Sequence, residues 1–396
     1  MEDQHLKMIY KINKKKSNTR ILGENFVKNN KDNYKLLINN SQYDIREYIN
    51  YVDYGFTKND NLLTIILRVI KTEKITDTSY MFCDCSSLIS VDFGSFNTEN
   101  VTDMQYMFYN CSEVKSLDLK SLNTKNVINM NNMFSWCESL TVLNLASFNT
   151  EKVKNMEWMF GNCFSLATLD LSSFNPKEVF NMSYMFGNCR SLKMLNLSEF
   201  NARKAKNMMR MFQGCSSLKK LDLSSFYTEE VTDMMSMFQE CSSLKKLDLS
   251  KLITNKVTIM EWMFKSCTSL LKLNLSSLNA EKVKNIQSMF ENCSSLIEIN
   301  LNSFTTQEVT NMDSMFRNCR SLTSLNLSSF KTSNVKCMSG MFYGCTSLIT
   351  INLSSFSTNK VMADPNRGIY CMFTGCINLW SCESLDRNIV TSFYRR

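Results

Sequence analysis

The sequence repeats with a fixed period of 26 residues over most of its length. The dipeptide Met-Phe recurs in each copy, and eleven copies follow one another at this spacing from Met81 to Met341. A twelfth Met-Phe, at Met372, comes 31 residues after Met341, so five residues are inserted before it. Such a period is typical of a solenoid, in which each repeat buries its apolar side against its neighbours.

Each repeat combines two apolar patterns with different periods. In the second repeat, Met104, Met107, Phe108 and Cys111 fall at i, i+3, i+4 and i+7, the spacing of one face of a short helix. Asp103 stands directly before this face, as a helix N-cap would. After the cysteine comes S-L-x-x-L-x-L, and its closing L-x-L has the period of a strand with both leucines facing inward. The repeat therefore predicts one strand and one short helix.

These patterns predict an α/β fold: a right-handed solenoid over residues 76–379, with one parallel sheet and short helices on the opposite side. Residues 1–75 lack the period, and their short Ile-, Leu- and Tyr-rich runs predict a small β-rich N-terminal cap. Within it, Asn39-Asn40-Ser41 predicts a hairpin turn, because Asn tolerates positive φ. The five-residue insertion, with Pro365 and Gly368, predicts a loop. After Leu379 the leucine pattern fails, and we expect residues 380–396 to form a polar C-terminal cover.

The complete repeat resembles the 26-residue surface-protein repeat of the BspA-like leucine-rich-repeat family. The shared pattern is M-F-x-x-C-x-S-L-x-x-L-x-L-S-S-F-x-T-x-x-V-x-x-M, and the resemblance covers residues 76 to about 380. It implies a leucine-rich-repeat-like fold with its ligand face on the strand side. Proteins of this family are generally regarded as binding or adhesion modules without catalytic activity, so the resemblance implies the same here.

The chain offers few residues for catalysis or metal binding. His5 is the only histidine, which leaves no Ser-His or Cys-His pair within the repeats and no mixed zinc set. With only 10 glycines the chain also has no phosphate-binding motif. We therefore predict no enzymatic activity, no cofactor, no metal and no small-molecule substrate.

Cysteine occupies one position of every repeat. Twelve of the 16 cysteines stand there, on the face shared with Met and Phe, which predicts buried reduced thiols. A disulfide framework or a metal ladder is the alternative.

The net charge of +8 is unevenly distributed. Residues 1–75 carry 14 Lys or Arg against 9 Asp or Glu, a balance of +5, which leaves +3 for the rest. Within the repeats, lysines gather before the L-x-L of four consecutive copies and predict a basic patch on the strand face, interleaved with two aspartates. The candidate binding residues are Lys193, Lys219, Lys220, Asp222, Lys245, Lys246, Asp248 and Lys272. Such a patch suits an acidic protein partner, and a merely solvated row of lysines is the alternative.

The sequence thus predicts a non-enzymatic protein-interaction scaffold that binds its partner through the strand face. A cell-surface or secreted adhesin and a nucleic-acid-binding module are the alternatives, of which the mild basicity makes nucleic acid the weaker. The N-terminus, MEDQHLKMIYKINKKK, lacks the apolar core of a secretory signal, and the run from Leu62 to Ile70 is too short to cross a bilayer. These features favour a cytoplasmic location without a membrane span, whereas the family resemblance favours the cell surface. N-L-S sequons begin at Asn196, Asn274, Asn326 and Asn352, and we interpret them as by-products of the repeat.

Overall fold

The computed structural model describes residues 4–13, 15, 18–57, 59–71, 75–361 and 368–394. The chain divides into two compact units, Met1–Asn201 and Ala202–Arg396. The first unit contains β1 (His5–Lys11), β2 (Asn18–Arg20), α1 (Glu24–Asn30), β3 (Tyr34–Ile38), β4 (Ser41–Asp44), β5 (Tyr48–Asn50), β6 (Leu62–Val69), β7 (Leu88–Asp92), β8 (Ser116–Asp118), β9 (Val142–Asn144), β10 (Thr168–Asp170) and β11 (Met194–Asn196). The second contains β12 (Lys272–Asn274), β13 (Glu298–Asn300), β14 (Ser324–Asn326), β15 (Thr350–Asn352), β16 (Ser381–Glu383) and α2 (Arg387–Tyr394).

Four N-terminal strands and β7 form an antiparallel sheet in the order β4-β3-β6-β1-β7, and β2 pairs separately with β5. The turn between β3 and β4 has φ of 49° at Asn39 and 64° at Asn40, so the predicted hairpin is confirmed. The edge strand β7 belongs to the first repeat, and it pairs with β1. The sheet of the N-terminal segment therefore extends directly onto the repeats.

The repeats form the predicted solenoid, and we call each of them a rung. Strands of neighbouring rungs pair in parallel and in register, so that Leu169 lies opposite Leu195 and Leu273 opposite Ile299. The two leucines of L-x-L face inward as expected: Leu143 is 8% exposed and Leu145 is 1% exposed. Because residues 26 positions apart meet on neighbouring rungs, side chains at one repeat position form a column.

The parallel sheet is less continuous than predicted. It consists of the separate groups β8-β9, β10-β11, β12-β13 and β14-β15-β16. No strand is assigned to residues 219–223 or 245–249, although both segments carry the L-x-L pattern. At the other end, β16 pairs with β15 and places Cys382 opposite Ile351, so the strand ladder extends beyond the last regular leucine.

The prediction of a short helix in each rung is wrong. In the described repeats, the segment around Met-Phe consists of consecutive turns. In the rung that contains Phe238, the amides of Met237, Gln239 and Cys241 donate to carbonyls three residues earlier, at 3.1–3.2 Å. The amides between them, those of Phe238 and Glu240, donate instead to carbonyls of the next rung at 2.9 and 2.8 Å. An α-helix would direct all these amides to the fourth residue before.

This alternation depends on residues in the left-handed region. Ser236 has φ of 55° and Glu240 has φ of 61°, values that an α-helix excludes. The left-handed residues direct every second amide toward the neighbouring rung, where the amide donates to a backbone carbonyl. The turns still bring the apolar residues to one side, which explains why helical spacing predicts the correct inward set. The Asp or Asn before them keeps its capping role in a turn, as when Asp233 accepts from the amide of Met235 at 2.8 Å.

The core is a stack of identical side chains. In the second unit the Phe238 ring lies 5.7 Å from that of Phe212 and 5.5 Å from that of Phe264, with nearly parallel planes. The Cys241 thiol donates to the carbonyl of Phe212 at 3.2 Å, and the same contact recurs from rung to rung. All twelve repeat cysteines are buried, as predicted. Burial raises the pKa of Cys241 to about 12, which leaves this thiol protonated at neutral pH.

Threonine hydroxyls also link the rungs. Each accepts from the amide, and donates to the carbonyl, of a single residue 25 positions later. The threonines with both bonds are Thr98, Thr124, Thr228, Thr254, Thr306 and Thr332.

Replacing one of these threonines with an isosteric apolar residue is expected to destabilise the stack. Thr254 donates to the carbonyl of Asn279 at 2.7 Å and accepts from its amide at 2.8 Å. Thr254→Val leaves both backbone groups without this partner and should lower the free energy of unfolding by about 1–3 kcal/mol in urea titrations. Thr254→Ser keeps the hydroxyl and serves as the control. Equal losses in the two variants would show that the hydroxyl is not the stabilising group.

Helix α2 covers the last rung of the second unit. The Phe393 ring lies edge-on to Phe373 at 6.2 Å, and Ile389 is fully buried. The Asp386 carboxylate accepts from the amide of Thr358 at 2.7 Å. These contacts cover the apolar end of the stack. The predicted insertion loop falls mostly on residues 362–367, outside the described residues.

Candidate interaction surface

Four of the predicted binding residues lie side by side on two stacked rungs of the second unit. Lys219, Lys220, Lys245 and Lys246 are all exposed, and we call these four residues the lysine row. Their rungs are in direct contact through the core, where Phe212 stacks on Phe238. The lysines stand immediately before Leu221 and Leu247, which are buried at 8% and 7% exposure and hold the segments against the core.

Two aspartates separate the lysine row from the following turn. The amide of Ser224 donates to the Asp222 carboxylate at 2.9 Å, and the amide of Ser250 donates to Asp248 in the same way. These backbone hydrogen bonds hold the pKa of both exposed carboxyls below the ordinary value, whereas the proximity of Asp248 opposes this for Asp222. Both carboxylates are thus oriented by their own turns.

The two rungs place like charges in the same columns. Lys219 precedes Lys245 by one period, Lys220 precedes Lys246, and Asp222 precedes Asp248. Like charges directly opposite on neighbouring strands are destabilising. These rungs are also the ones without an assigned strand, and repulsion along the columns is a physical reason for that interruption. Within the described chain, the lysine row forms no ion pair that would offset this repulsion.

The remaining predicted lysines differ from this row. Lys272 pairs with Glu298 at 2.5 Å across β12 and β13, so an internal carboxylate already occupies it. This pair was not predicted, although the period reveals it, because Glu298 stands 26 residues after Lys272. Lys193 is exposed and lies in the first unit, before β11.

The same column rule accounts for other surface pairs. Lys125 contacts Glu99 at 2.6 Å and Lys256 contacts Glu230 at 2.5 Å, each one period apart. At these two positions, opposite charges one period apart therefore compensate each other.

A pair of carboxylates lies in another column of the first unit. Asp77 and Asp103 form a parallel bridge on neighbouring rungs, whereas the next rungs carry Asn at this position. Burial raises the pKa of Asp103, which is about half-buried, and the Asp77 charge raises it further. The ionised form of Asp103 is therefore less favourable in the folded state than in the unfolded chain.

We expect Asp103→Asn to stabilise the protein at neutral pH by about 0.5 kcal/mol, a modest gain because water screens the partly exposed site. A raised carboxyl pKa means that stability is greatest below the unfolded-state pKa and is lost as pH rises through the folded-state value. The advantage of Asn over Asp should therefore vanish in acid, below the ordinary aspartate pKa. Melting temperatures of both proteins across this pH range test the sign, and a gain that persists undiminished in acid would contradict it.

No helix in the described ranges is long and apolar enough to cross a membrane. The same ranges contain no cluster of three or more His, Cys, Asp or Glu side chains that could hold a metal ion.

The stacked leucine-rich rungs and their parallel strands define a leucine-rich-repeat solenoid. The chain belongs to the family described as "Mycoplasma protein of unknown function, DUF285", which it matches over residues 50–167, 113–218, 180–298 and 268–376. No match was found among the curated proteins.

The chain is similar to several solved structures of bacterial proteins. A leucine-rich cell surface protein of Faecalibacterium prausnitzii is 19% identical, with 79% of this chain and 84% of that chain covered and a TM-score of 0.41. A Leptospira interrogans LRR protein is 17% identical, with coverages of 73% and 68% and a TM-score of 0.29. The functional domain of InlJ from Listeria monocytogenes, which includes a cysteine ladder, is 12% identical, with coverages of 70% and 71% and a TM-score of 0.18.

Proposed function

We propose that the protein is a non-enzymatic interaction scaffold that binds an acidic protein partner through the lysine row. One observation carries this proposal: Lys219, Lys220, Lys245 and Lys246 form like-charge columns that the fold itself leaves uncompensated. A feature that costs stability without an internal benefit is expected where a surface serves binding. The resemblance to BspA-like repeats supports the same function.

The acidic character of the partner follows from the charges. A carboxylate-rich surface would place negative charge against both lysine columns and relieve their mutual repulsion on binding. Asp222 and Asp248 are held in their own turns, so they leave the lysine amines available. The partner would then be recognised by acidic groups opposite the lysine row and by basic groups opposite Asp222 and Asp248.

The test uses a double variant that reverses the charge on one rung only. Lys245→Glu with Lys246→Glu places opposite charges in both columns against Lys219 and Lys220. We expect the variant to be more stable, by roughly 0.2–1 kcal/mol per new pair, and to lose the partner in quantitative affinity purification of the tagged full chain. A lysine row that serves only solubility would give the gain in stability without the loss of the partner.

A charge-matched control separates the row from net charge. Lys282 and Lys284 are exposed in the second unit and lie away from the strand segments, so Lys282→Glu with Lys284→Glu changes the charge equally. The proposal expects this control to retain the partner. Equal loss in both variants would contradict a specific surface. Salt-sensitive nucleic-acid binding that only the row variant loses would instead support the nucleic-acid alternative.

A further inference from the structure

A second polar surface lies in the first unit, where the N-terminal sheet meets the first two rungs. It is a cleft of about 1010 Å³, formed by the ends of β1 and β6 on one side and by the segments that include β7 and β8 on the other. We call it the polar cleft. Its charged lining residues are Lys11, Lys15, Glu113 and Lys115. Five serines, Asn13 and Asn61 and the apolar Ile12, Leu62 and Ile89 complete its walls.

The charges of the polar cleft favour an anionic ligand. With three lysines and one glutamate, the lining has a net charge of +2. The Lys11 Nζ donates to both carboxylate oxygens of Glu113, at 2.9 and 3.0 Å. This pair shows how a carboxylate binds to this wall of the cleft. Both side chains of the pair are about half-exposed, and exposed ion pairs of this kind contribute little to stability. An incoming carboxylate can therefore displace Glu113 at little cost.

The size and walls of the cleft favour a peptide. Its volume lies at the upper end of the range of roughly 300–1,000 Å³ for small-molecule sites, which leaves room for several residues. Two of the lining segments belong to edge strands, because β7 ends its sheet and β8 ends the two-stranded sheet that it forms with β9. Serine hydroxyls along these segments, among them Ser90 and Ser116, offer hydrogen bonds to a peptide backbone.

We infer that the polar cleft binds an extended acidic peptide segment, with its carboxylates on Lys11 and Lys115. Lys115 is exposed, and its carbonyl accepts from the amide of Thr141 at 2.9 Å, so the next rung fixes the backbone that carries it. The inference does not rest on the proposed function, because the polar cleft and the lysine row share no residue.

Binding of a labelled hexaglutamate peptide to the full chain, followed by fluorescence anisotropy at low ionic strength, tests the inference. The Lys245→Glu/Lys246→Glu background weakens competition from the lysine row and keeps the two sites distinguishable. Lys115→Glu should weaken binding by about tenfold or more, because it replaces an attraction with a repulsion. Glu113→Gln should tighten binding by up to about fivefold, because it frees Lys11 from its weak ion pair with Glu113.

Lys120→Glu is the matched control. Lys120 belongs to the same rung as Lys115, is highly exposed, pairs with Asp118 and does not line the cleft. It makes the same charge change and should leave the affinity within about twofold. Melting curves confirm that each variant is folded.

Three results would overturn the inference. Hexaglutamine that binds as well as hexaglutamate would show that charge does not contribute to binding. Equal weakening by Lys115→Glu and Lys120→Glu would show that the cleft is not the binding site. Inorganic triphosphate that binds where hexaglutamate does not would assign the cleft to a phosphate ligand.

Discussion

Leu221→Asp is expected to destabilise the second unit by roughly 3–5 kcal/mol, because it replaces an inward leucine with a charge that has no partner in the core. Leu221 is 8% exposed and lies among the stacked apolar residues of its rung. Urea unfolding of the full chain, followed by tryptophan fluorescence and circular dichroism, should show the first transition at a lower urea concentration.

The neighbouring position provides the control. Lys220→Asp introduces the same residue one position earlier, where the side chain is exposed. It should not destabilise the protein, and the opposite charge that it places against Lys246 should add roughly 0.2–1 kcal/mol. Similar losses at both positions would contradict the assignment of Leu221 to the inside and Lys220 to the outside.

Phe238→Ala is expected to cost about 3–5 kcal/mol, the usual range for removing a buried phenylalanine. The ring is fully buried and stacks on Phe212 and Phe264 at 5.7 and 5.5 Å, so its loss opens a cavity between two rungs. Thermal and urea unfolding measure the effect.

Phe238→Leu fills most of that space and should cost less than about half as much. If the two variants unfold alike, the stacking of rings rather than the filling of volume would be the dominant contribution. If neither is destabilised, the phenylalanine column does not hold the rungs together.

Much of this fold follows from the periodicity, because burial in a solenoid repeats with the sequence. The inward set of the rung at residues 211–234 is buried from Met211 to Val231, whereas Lys219 and Asp222 are exposed. The hairpin at Asn39-Asn40 also followed from local chemistry. These features depend on neighbours in sequence or on a fixed spacing.

The backbone of the turns could not be predicted in this way. Positive φ falls on residues such as Tyr106 (55°) and Trp262 (58°), which carry no intrinsic preference for the left-handed region. They adopt it because each outward amide gains a carbonyl on the next rung, an interaction that helical spacing does not reveal. The reciprocal hydrogen bonds of Thr254 arise from the same stacking.

The candidate site was likewise predictable only in part. The lysine row was evident because its members share repeat positions, but its lack of internal compensation required comparison with pairs such as Lys272 and Glu298. The polar cleft was not predictable, because Lys11 and Glu113 are 102 residues apart and meet only through the pairing of β1 with β7. The repeat period gives no information about contacts between the non-periodic N-terminal segment and a repeat.

The most direct measurement of the binding surface is mass-spectrometric labelling of lysine amines in the free chain and in its complex with the captured partner. The proposed function predicts that Lys219, Lys220, Lys245 and Lys246 react in the free chain and become protected in the complex. Lys282 and Lys284 should react equally in both. Protection of Lys282 and Lys284 with unchanged labelling of the lysine row would contradict the proposed function.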